Sequence, residues 1–255
     1  MASSDSPLPP RDTLQIEGWT VHEYDVLPST NPVAGRLPAW HAVRADTQTG
    51  GRGRTGRVWV SDIGGLWISA VVPVDGPRAK WAILPLAVGW ALVEALTAQG
   101  AVGLRLRWPN DVLVGRRKLA GLLVEQFRPD TAVVGIGLNV FNQPRSVDPS
   151  LSGHTLTLSE LVTGPYDLRD IAAVVLRCLR SAHATIARDA FAGMAEQINQ
   201  RWDGRRRVEL TLNTADAAVQ GFFRGVDAQG RLDVETDGGH LILDASQVAL
   251  LRELE

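Results

Sequence analysis

The sequence has a single cysteine, Cys178, so no disulfide can close within the chain. Its five histidines (His22, His41, His154, His183 and His240) are scattered without metal-ligand spacing, which argues against a zinc centre. Net charge is also scarce: 26 Lys and Arg against 28 Asp and Glu leave −2. The broad positive field of a dedicated nucleic-acid binder is therefore missing, and any anion site must be local. No repeat or low-complexity tract is visible, and Met1 to Gln15 lacks the basic start and apolar core of a secretory signal. Residues 1–19 are expected to form a loose arm. One long apolar run exists, Trp81 to Leu104, where Glu94 is the only charge across more than the ~20 residues a membrane span needs. Pro85 near its start, Thr97 and Gln99 near its end, and helical spacing of Leu84, Val88, Ala91, Leu92 and Ala95 make it a buried core helix. A cytoplasmic protein is expected.

What is present is ordinary globular composition, 45% hydrophobic and 21% charged over 255 residues, a length that suits either one large domain or a main domain with a small appendage. Runs rich in Trp and Val predict strands over Ala39–Ala45 and Gly65–Val74, and a helix follows over Ala79–Gln99. Leu104–Trp108, Leu119–Phe127 and Ala132–Val140 read as three further strands. Asp167 is the expected N-cap of a helix whose apolar face carries Ile171, Val174, Val175, Cys178, Leu179, Ala182 and Ile186; on that face Cys178 is a core residue. After Trp202 the pattern turns to short alternating runs, Arg207–Leu212, Val219–Val226, Leu232–Thr236, His240–Leu243 and Val248–Leu251. They predict a small all-β barrel beyond a boundary near Asp203 and Gly204.

Three segments carry chemistry. The first, Gln48 to Arg57, holds four glycines and three arginines in ten residues, so backbone N–H groups and guanidinium forks can converge on a phosphate or carboxylate. Gly51 and Gly56 have phosphate-loop spacing, but Arg57-Val58 replaces the required Lys-Ser/Thr, and a strand is expected to follow where that motif opens a helix. An RGG-type RNA tract would be longer and repeated. A hairpin with solvated arginines is the alternative for this segment alone. The second, Arg107-Trp-Pro-Asn-Asp111 followed by Arg116 to Gly121, sets an amide (Asn110), a carboxylate (Asp111) and a lysine (Lys118) around one turn; Asn110 suits a purine or sugar edge, Asp111 a proton or metal, and Lys118 a bridge between two anions. A polar hairpin turn is its alternative. The third, Gly135-Ile-Gly137-Leu-Asn139, lacks the third glycine and following helix of a dinucleotide fingerprint; its glycines suit a ligand lying against the strand backbone.

Together, Ser29-Thr-Asn31, Gln48 to Trp59, Trp108-Pro-Asn-Asp111, Lys118-Leu-Ala-Gly121, Glu125 and Gly135-x-Gly137-x-Asn139 resemble biotin protein ligases in order and spacing, over residues 20 to 255. The resemblance is to the short bacterial type, since only 28 residues precede Ser29, fewer than a DNA-binding winged helix needs. It implies an α+β fold: a mixed sheet flanked by helices, similar to the class II aminoacyl-tRNA synthetase core, in a catalytic domain over 20–203, then an SH3-like barrel over 204–255. It also implies ATP with Mg2+, biotin as substrate, and a biotin carboxyl carrier protein, as of acetyl-CoA carboxylase, as acceptor. DNA and membrane partners are not expected; the sequence leaves monomer and homodimer open, and names no metal ligands.

Residue by residue, the resemblance implies biotin contacts at Ser29, Thr30, Asn31, Gln48, Gly51, Arg52, Gly53, Arg54, Lys118, Gly121 and Gly137. It implies ATP contacts at Arg52, Arg54, Arg57, Trp59, Asn110, Lys118 and Asn139. Lys118 would bridge biotin's carboxylate and the α-phosphate, with Arg52 and Arg54 over the adenylate; Trp59 is either a lid over adenine or core. Asp111 is either the base for the acceptor lysine or an orienting residue. Several positions depart from the family pattern. Arg107 stands where lysine is usual, Gly50 where alanine is commoner, and Ser246-Gln247 where a Gly-acid pair is usual. Pro32, Gly35 and Pro38 imply a truncated helix after Asn31. Lipoate or octanoate transfer and a non-catalytic binding module are the rival functions; the arginine-rich loop with Trp-Pro-Asn-Asp favours biotin.

Overall fold

The computed structural model describes residues 9–202, 206–214 and 218–254. Strands β1 (Asp12–Ile16), β2 (Trp19–Leu27), β3 (His41–Gln48), β4 (Leu66–Pro73), β5 (Leu104–Arg107), β6 (Asp111–Val114), β7 (Arg117–Arg128) and β8 (Thr131–Leu138) form one sheet in the order β1-β2-β3-β4-β8-β7-β6-β5. Of these neighbours only β2 and β3 run parallel. The connection between them holds the short helix α1 (Thr30–Ala34), truncated as Pro32, Gly35 and Pro38 imply.

Alternation along the strands divides the sheet's faces. Ile68, Ala70, Val72, Ala120, Leu122, Val134 and Ile136 point into the main core. Above them lie α2 (Arg78–Trp81), α3 (Leu84–Ala98) and, after the short α4 (Pro144–Val147), α5 (Leu168–Ala187). The apolar run that is long enough for a membrane is thus an internal helix pair, broken before Pro85. Its Leu84, Leu86, Leu92 and Leu96 are almost fully buried. Asp167 caps α5 by accepting from the N–H groups of Arg169 and Asp170. The opposite parity, Ser69, Gly121, Leu123, Glu125, Gly135 and Gly137, faces α1 and the loops, and this is the face that carries the cavity described below.

Helix α6 (Phe191–Arg201) leads to a second, antiparallel sheet of β9 (Arg206–Leu212), β10 (Val219–Val226), β11 (Leu232–Thr236), β12 (Gly239–Leu243) and β13 (Val248–Glu253), in the order β12-β11-β10-β9-β13. Two expectations change here. The barrel is not closed: among the described residues no ladder joins β12 to β13, because the one-turn 3-10 helix Ala245–Gln247, shut by a capping box with Asp244, sends β13 across to β9. The loose arm is also shorter than expected, since Asp12–Ile16 pairs with β2 as an edge strand. The expected boundary at Asp203 and Gly204 lies outside the described residues, as do residues 1–8 of the arm.

The second sheet is fixed to the first by polar bonds from named side chains. Trp108 Nε1 donates to Gly230 O at 3.0 Å and Trp202 Nε1 to Leu106 O at 2.7 Å. Asn199 bonds both backbone groups of Val226, and Arg105 grips both Glu253 oxygens at 2.6 Å. Two tryptophans of the sequence are therefore struts as well as apolar bodies.

Candidate active site

Where the small-residue face of the sheet meets α1, a cavity of about 820 Å³ opens, within the size range of small-molecule sites. Its walls come from the 48–60 loop, the 107–111 turn, β7, β8, the segment 144–155 and residues 248–251.

One end is built of hydroxyl and amide groups. The N–H of Thr30 donates to Gln48 Oε1 at 2.8 Å, and Thr30 Oγ1 lies 3.1 Å from the same oxygen. Gln48 Nε2 donates to Ser61 Oγ, which in turn donates to Trp59 O. Thr30 Oγ1 meets Ser69 Oγ at 2.6 Å; Ser69 donates to Asn31 Oδ1 at 2.5 Å; Asn31 Nδ2 donates to Glu125 Oε2 at 2.6 Å. Thr30, Asn31 and Ser69 are at most 5% exposed. A Cβ at Gly135 would overlap the Asn31 carboxamide, so this glycine seats a side chain of the protein, where the sequence suggested a ligand. Ser69 belongs to none of the sequence motifs; a hydroxyl in the middle of an apolar strand is the signal that could have found it.

At the middle of the cavity three charges meet. Lys118 Nζ sits 2.7 Å from Asp111 Oδ1, and Arg107 Nη2 is 2.5 Å from Asp111 Oδ2. Burial pushes the Asp111 carboxyl up, but the fields of Lys118 and Arg107 and their hydrogen bonds outweigh it, and the group is held below the usual carboxylate range. Such a group is a poor base, so the geometry favours the orienting role for Asp111. The backbone of Lys118 is itself seated: its N–H donates to His154 O at 2.8 Å and its carbonyl accepts from Leu156 N.

Trp59 lies across the glycine wall. A Cβ on Gly137 would come 2.6 Å from its ring and one on Gly121 2.9 Å, and Lys118 Nζ stands 4.8 Å from its centroid. Both glycines are therefore places of close approach, with the indole as the nearest body. Two expected nucleotide contacts are tied inward. Asn110 Nδ2 donates to Leu122 O at 2.7 Å. Asn139, buried, accepts from Asn142 Nδ2, which also reaches Asp62.

The Gly/Arg loop is a hairpin, with Trp59 N bonded to Gly51 O and Gly53 N to Arg57 O. Thr55 and Gly56 turn its tip at φ 55° and 73°. Arg52 and Arg57 are exposed at the cavity mouth. Arg54, expected over the adenylate, reaches the second sheet, where Nη2 donates to Ala245 O at 2.6 Å and Val248 O at 3.0 Å. Burial lowers its pKa. Gly51 alone of the expected residues lies behind the wall, pressed on Ser61 and Trp59 O; the others, Ser29 and Gly53 included, line the cavity. Nothing in the sequence marks the walls at 144–155 and 248–251. Among the described residues no three His, Cys, Asp or Glu side chains gather as metal ligands, and the two cavity carboxylates, Asp111 and Glu125, are both engaged, so the protein's donors do not form a resident metal site.

Residues 28–140 match the profile of the biotin/lipoate A/B protein ligase family. The chain is 33% identical over 237 residues to the bifunctional ligase/repressor BirA of Escherichia coli, covering 88% of this chain and 72% of that one. It is 33% identical over 279 residues to the biotin–[acetyl-CoA-carboxylase] ligase of Mycobacterium tuberculosis, covering 99% of this chain and 100% of the other. The structure of the Aquifex aeolicus biotin protein ligase in complex with biotin and ATP has a TM-score of 0.79 at 27% identity, over 92% of this chain and 99% of that one. Likeness of this extent runs through both sheets and through every strand that walls the cavity, and on it the chain belongs to the biotin protein ligase family.

Proposed function

We propose that the protein condenses biotin with ATP to biotinyl-5'-AMP and pyrophosphate, then transfers the biotinyl group to a lysine of a biotin carboxyl carrier protein. The observation that carries this is the place of Lys118, between a hydroxyl-and-amide end suited to a neutral ureido ring and an arginine-fringed mouth suited to phosphate. A carboxylate attacking an α-phosphate brings two anions to about 3 Å, and a fixed cation there offsets their repulsion in the transition state. Lys118 fills that role. Asp111, itself held by Arg107, aims the ammonium before substrates enter. Arg52 and Arg57 face the phosphates from the mouth, and Arg54 reaches them on leaving its two carbonyls. Ser29, Thr30, Asn31, Gln48 and Gly53 hold the biotin end, while Gly121 and Gly137 let the valeryl chain and the Trp59 indole pass the sheet. Asn110 and Asn139 shape the adenine end, whose wall is segment 144–155. Magnesium enters with ATP as the counter-ion of its phosphates.

In the second step the acceptor's neutral amine attacks the acyl carbon, AMP leaves, and the amine proton passes to solvent. A free lysine has a pKa near 10.4, and the cations at the mouth favour its neutral form. Transfer therefore accelerates with pH without needing Asp111 as base.

The larger sheet with its helices, β1 included, forms a class II synthetase-like catalytic unit. The second sheet is an SH3-like unit that supplies a wall. The protein acts as a soluble enzyme in the cytoplasm, on the carrier of an acetyl-CoA carboxylase. Pyrophosphate release on mixing with biotin and ATP tests the first step. Lys118→Ala should lose it by at least about a hundredfold with the fold intact; release near the wild-type rate removes Lys118 from its role.

A further inference from the structure

Glu125 touches no reacting group in the mechanism above, yet it terminates the hydrogen-bond chain that begins at Thr30. Counting protons along that chain gives it a direction. A carboxylate oxygen only accepts, so the 2.6 Å contact fixes Asn31 with Nδ2 toward Glu125 and Oδ1 toward Ser69. Oδ1 cannot donate, so the single proton of Ser69 goes to Asn31. Ser69 must then accept across the 2.6 Å contact with Thr30, which uses the only hydroxyl proton of Thr30. From the other side, Ser61 donates to Trp59 O and so accepts from Gln48 Nε2, which turns Gln48 Oε1 toward Thr30. Gln48 Oε1 takes the Thr30 N–H at 2.8 Å and has a second lone pair to spare, and it is left 3.1 Å from Thr30 Oγ1 with no hydroxyl proton between them. Two such oxygens side by side call for an N–H from a ligand.

We propose that Glu125 is a positioning residue that polarises the chain Glu125–Asn31–Ser69–Thr30, so that the cavity offers paired acceptors to a ureido N–H of biotin and disfavours a ligand with an oxygen there. The proposal rests on biotin as the ligand of this site. The seat for Asn31 supports it: the carboxamide lies on Gly135, where a Cβ would overlap it, and all three intermediate side chains are buried. With the middle of the chain closed to water, its direction is set from its ends. A neutral amide at position 125 can present either an N–H or an oxygen to Asn31 and leaves both directions open.

The test is calorimetric titration of the whole protein with biotin and with the two carbamate analogues in which one or the other ureido N–H is oxygen. Glu125→Gln, nearly isosteric, should weaken biotin about tenfold, the scale of one hydrogen bond. It should also narrow the preference for biotin over the analogue that places oxygen at Thr30, and leave the KM for ATP within about twofold. Asn31→Asp combined with Glu125→Gln restores the direction, since the introduced carboxylate accepts both from the introduced amide and from Ser69. This double variant should recover most of the affinity and the preference. A Glu125→Gln protein that binds biotin within twofold of wild type, or a double variant no better than the single one, overturns the proposal. Loss of folding, followed by circular dichroism, is separated from loss of direction by the ratio of biotin to carbamate affinities, which packing damage alone does not move. Failure of the wild-type protein to bind biotin overturns the functional reading itself.

Discussion

Asparagine at position 111 keeps the shape of the aspartate and removes the anion that two cations share. In the wild type the carboxylate lies 2.7 Å from Lys118 Nζ and 2.5 Å from Arg107 Nη2. The Asp111 side chain is 12% exposed and its partners 27% and 29%. Breaking a fully buried pair costs about 3 to 5 kcal/mol and an exposed one about 0 to 1. With both cations reaching solvent, Asp111→Asn should cost about 2 kcal/mol, a fall in Tm of about 4 to 8 °C for a chain of this length. The pH dependence has a definite sign. The folded carboxyl is held below its ordinary value of 3.8, so its contribution is complete above that value and disappears as pH falls below it. Melting curves of the two proteins should therefore differ fully at pH 7 and converge in acid. ATP with biotin supplies an anion to the stranded cations and should narrow the gap at neutral pH. Single-turnover assays should show adenylate formation slowed about tenfold or more, because Lys118 is no longer aimed, while transfer from preformed adenylate keeps its rise with pH. Equal Tm values and equal adenylation rates would refute the reasoning. A defect confined to transfer and rescued at high pH would return Asp111 to the role of base.

Three further outcomes follow from the same geometry. Gly137→Ala sets a methyl 2.6 Å from the Trp59 ring; displacing the indole should cost about 1 to 3 kcal/mol and raise the KM for biotin, which Tm and steady-state kinetics will show. Arg54→Ala frees the hairpin tip from Ala245 and Val248, so trypsin should cut after Arg57 several times faster in the absence of substrates, and an unchanged rate would mean the contact holds nothing. His22 is kept below its usual pKa by burial and then by His41, whose Nδ1 is 3.0 Å from His22 Nε2. Because the unfolded His22 takes up a proton that the folded one resists, stability should fall as pH drops through 6.5, and His22→Gln should flatten that slope in denaturant titrations between about pH 7 and 5.

How much of this is legible depends on whether the signal lies in side chains or in backbone. The central strands announce themselves as short apolar runs, rich in Trp and Val, that are buried on both faces, while Thr30, Gln48, Lys118 and Asp111 stand out through the order and spacing of the family's motifs, since a polar turn taken alone has structural uses as well. β1 reads as loose arm because an edge strand with one partner is half exposed and shows weak alternation. Gly135 and Gly137 look alike in the sequence, yet one seats Asn31 and the other Trp59, a difference that depends on strands far away in the chain. The partner of Arg54 is out of reach altogether, since two carbonyl oxygens 191 and 194 residues downstream carry no sequence signature. The same holds for the open second sheet, where the capped turn at Asp244 decides which strand β13 meets.

The most direct test of the account is the intact mass of a biotin carboxyl carrier protein after incubation with this enzyme, ATP and Mg2+, with biotin or lipoate supplied as the acid. The account predicts one biotinyl addition, on one carrier lysine, absent without ATP, lost with Lys118→Ala and not replaced by lipoate. A carrier left unmodified by the wild-type protein, or modified with lipoate in preference to biotin, would contradict it.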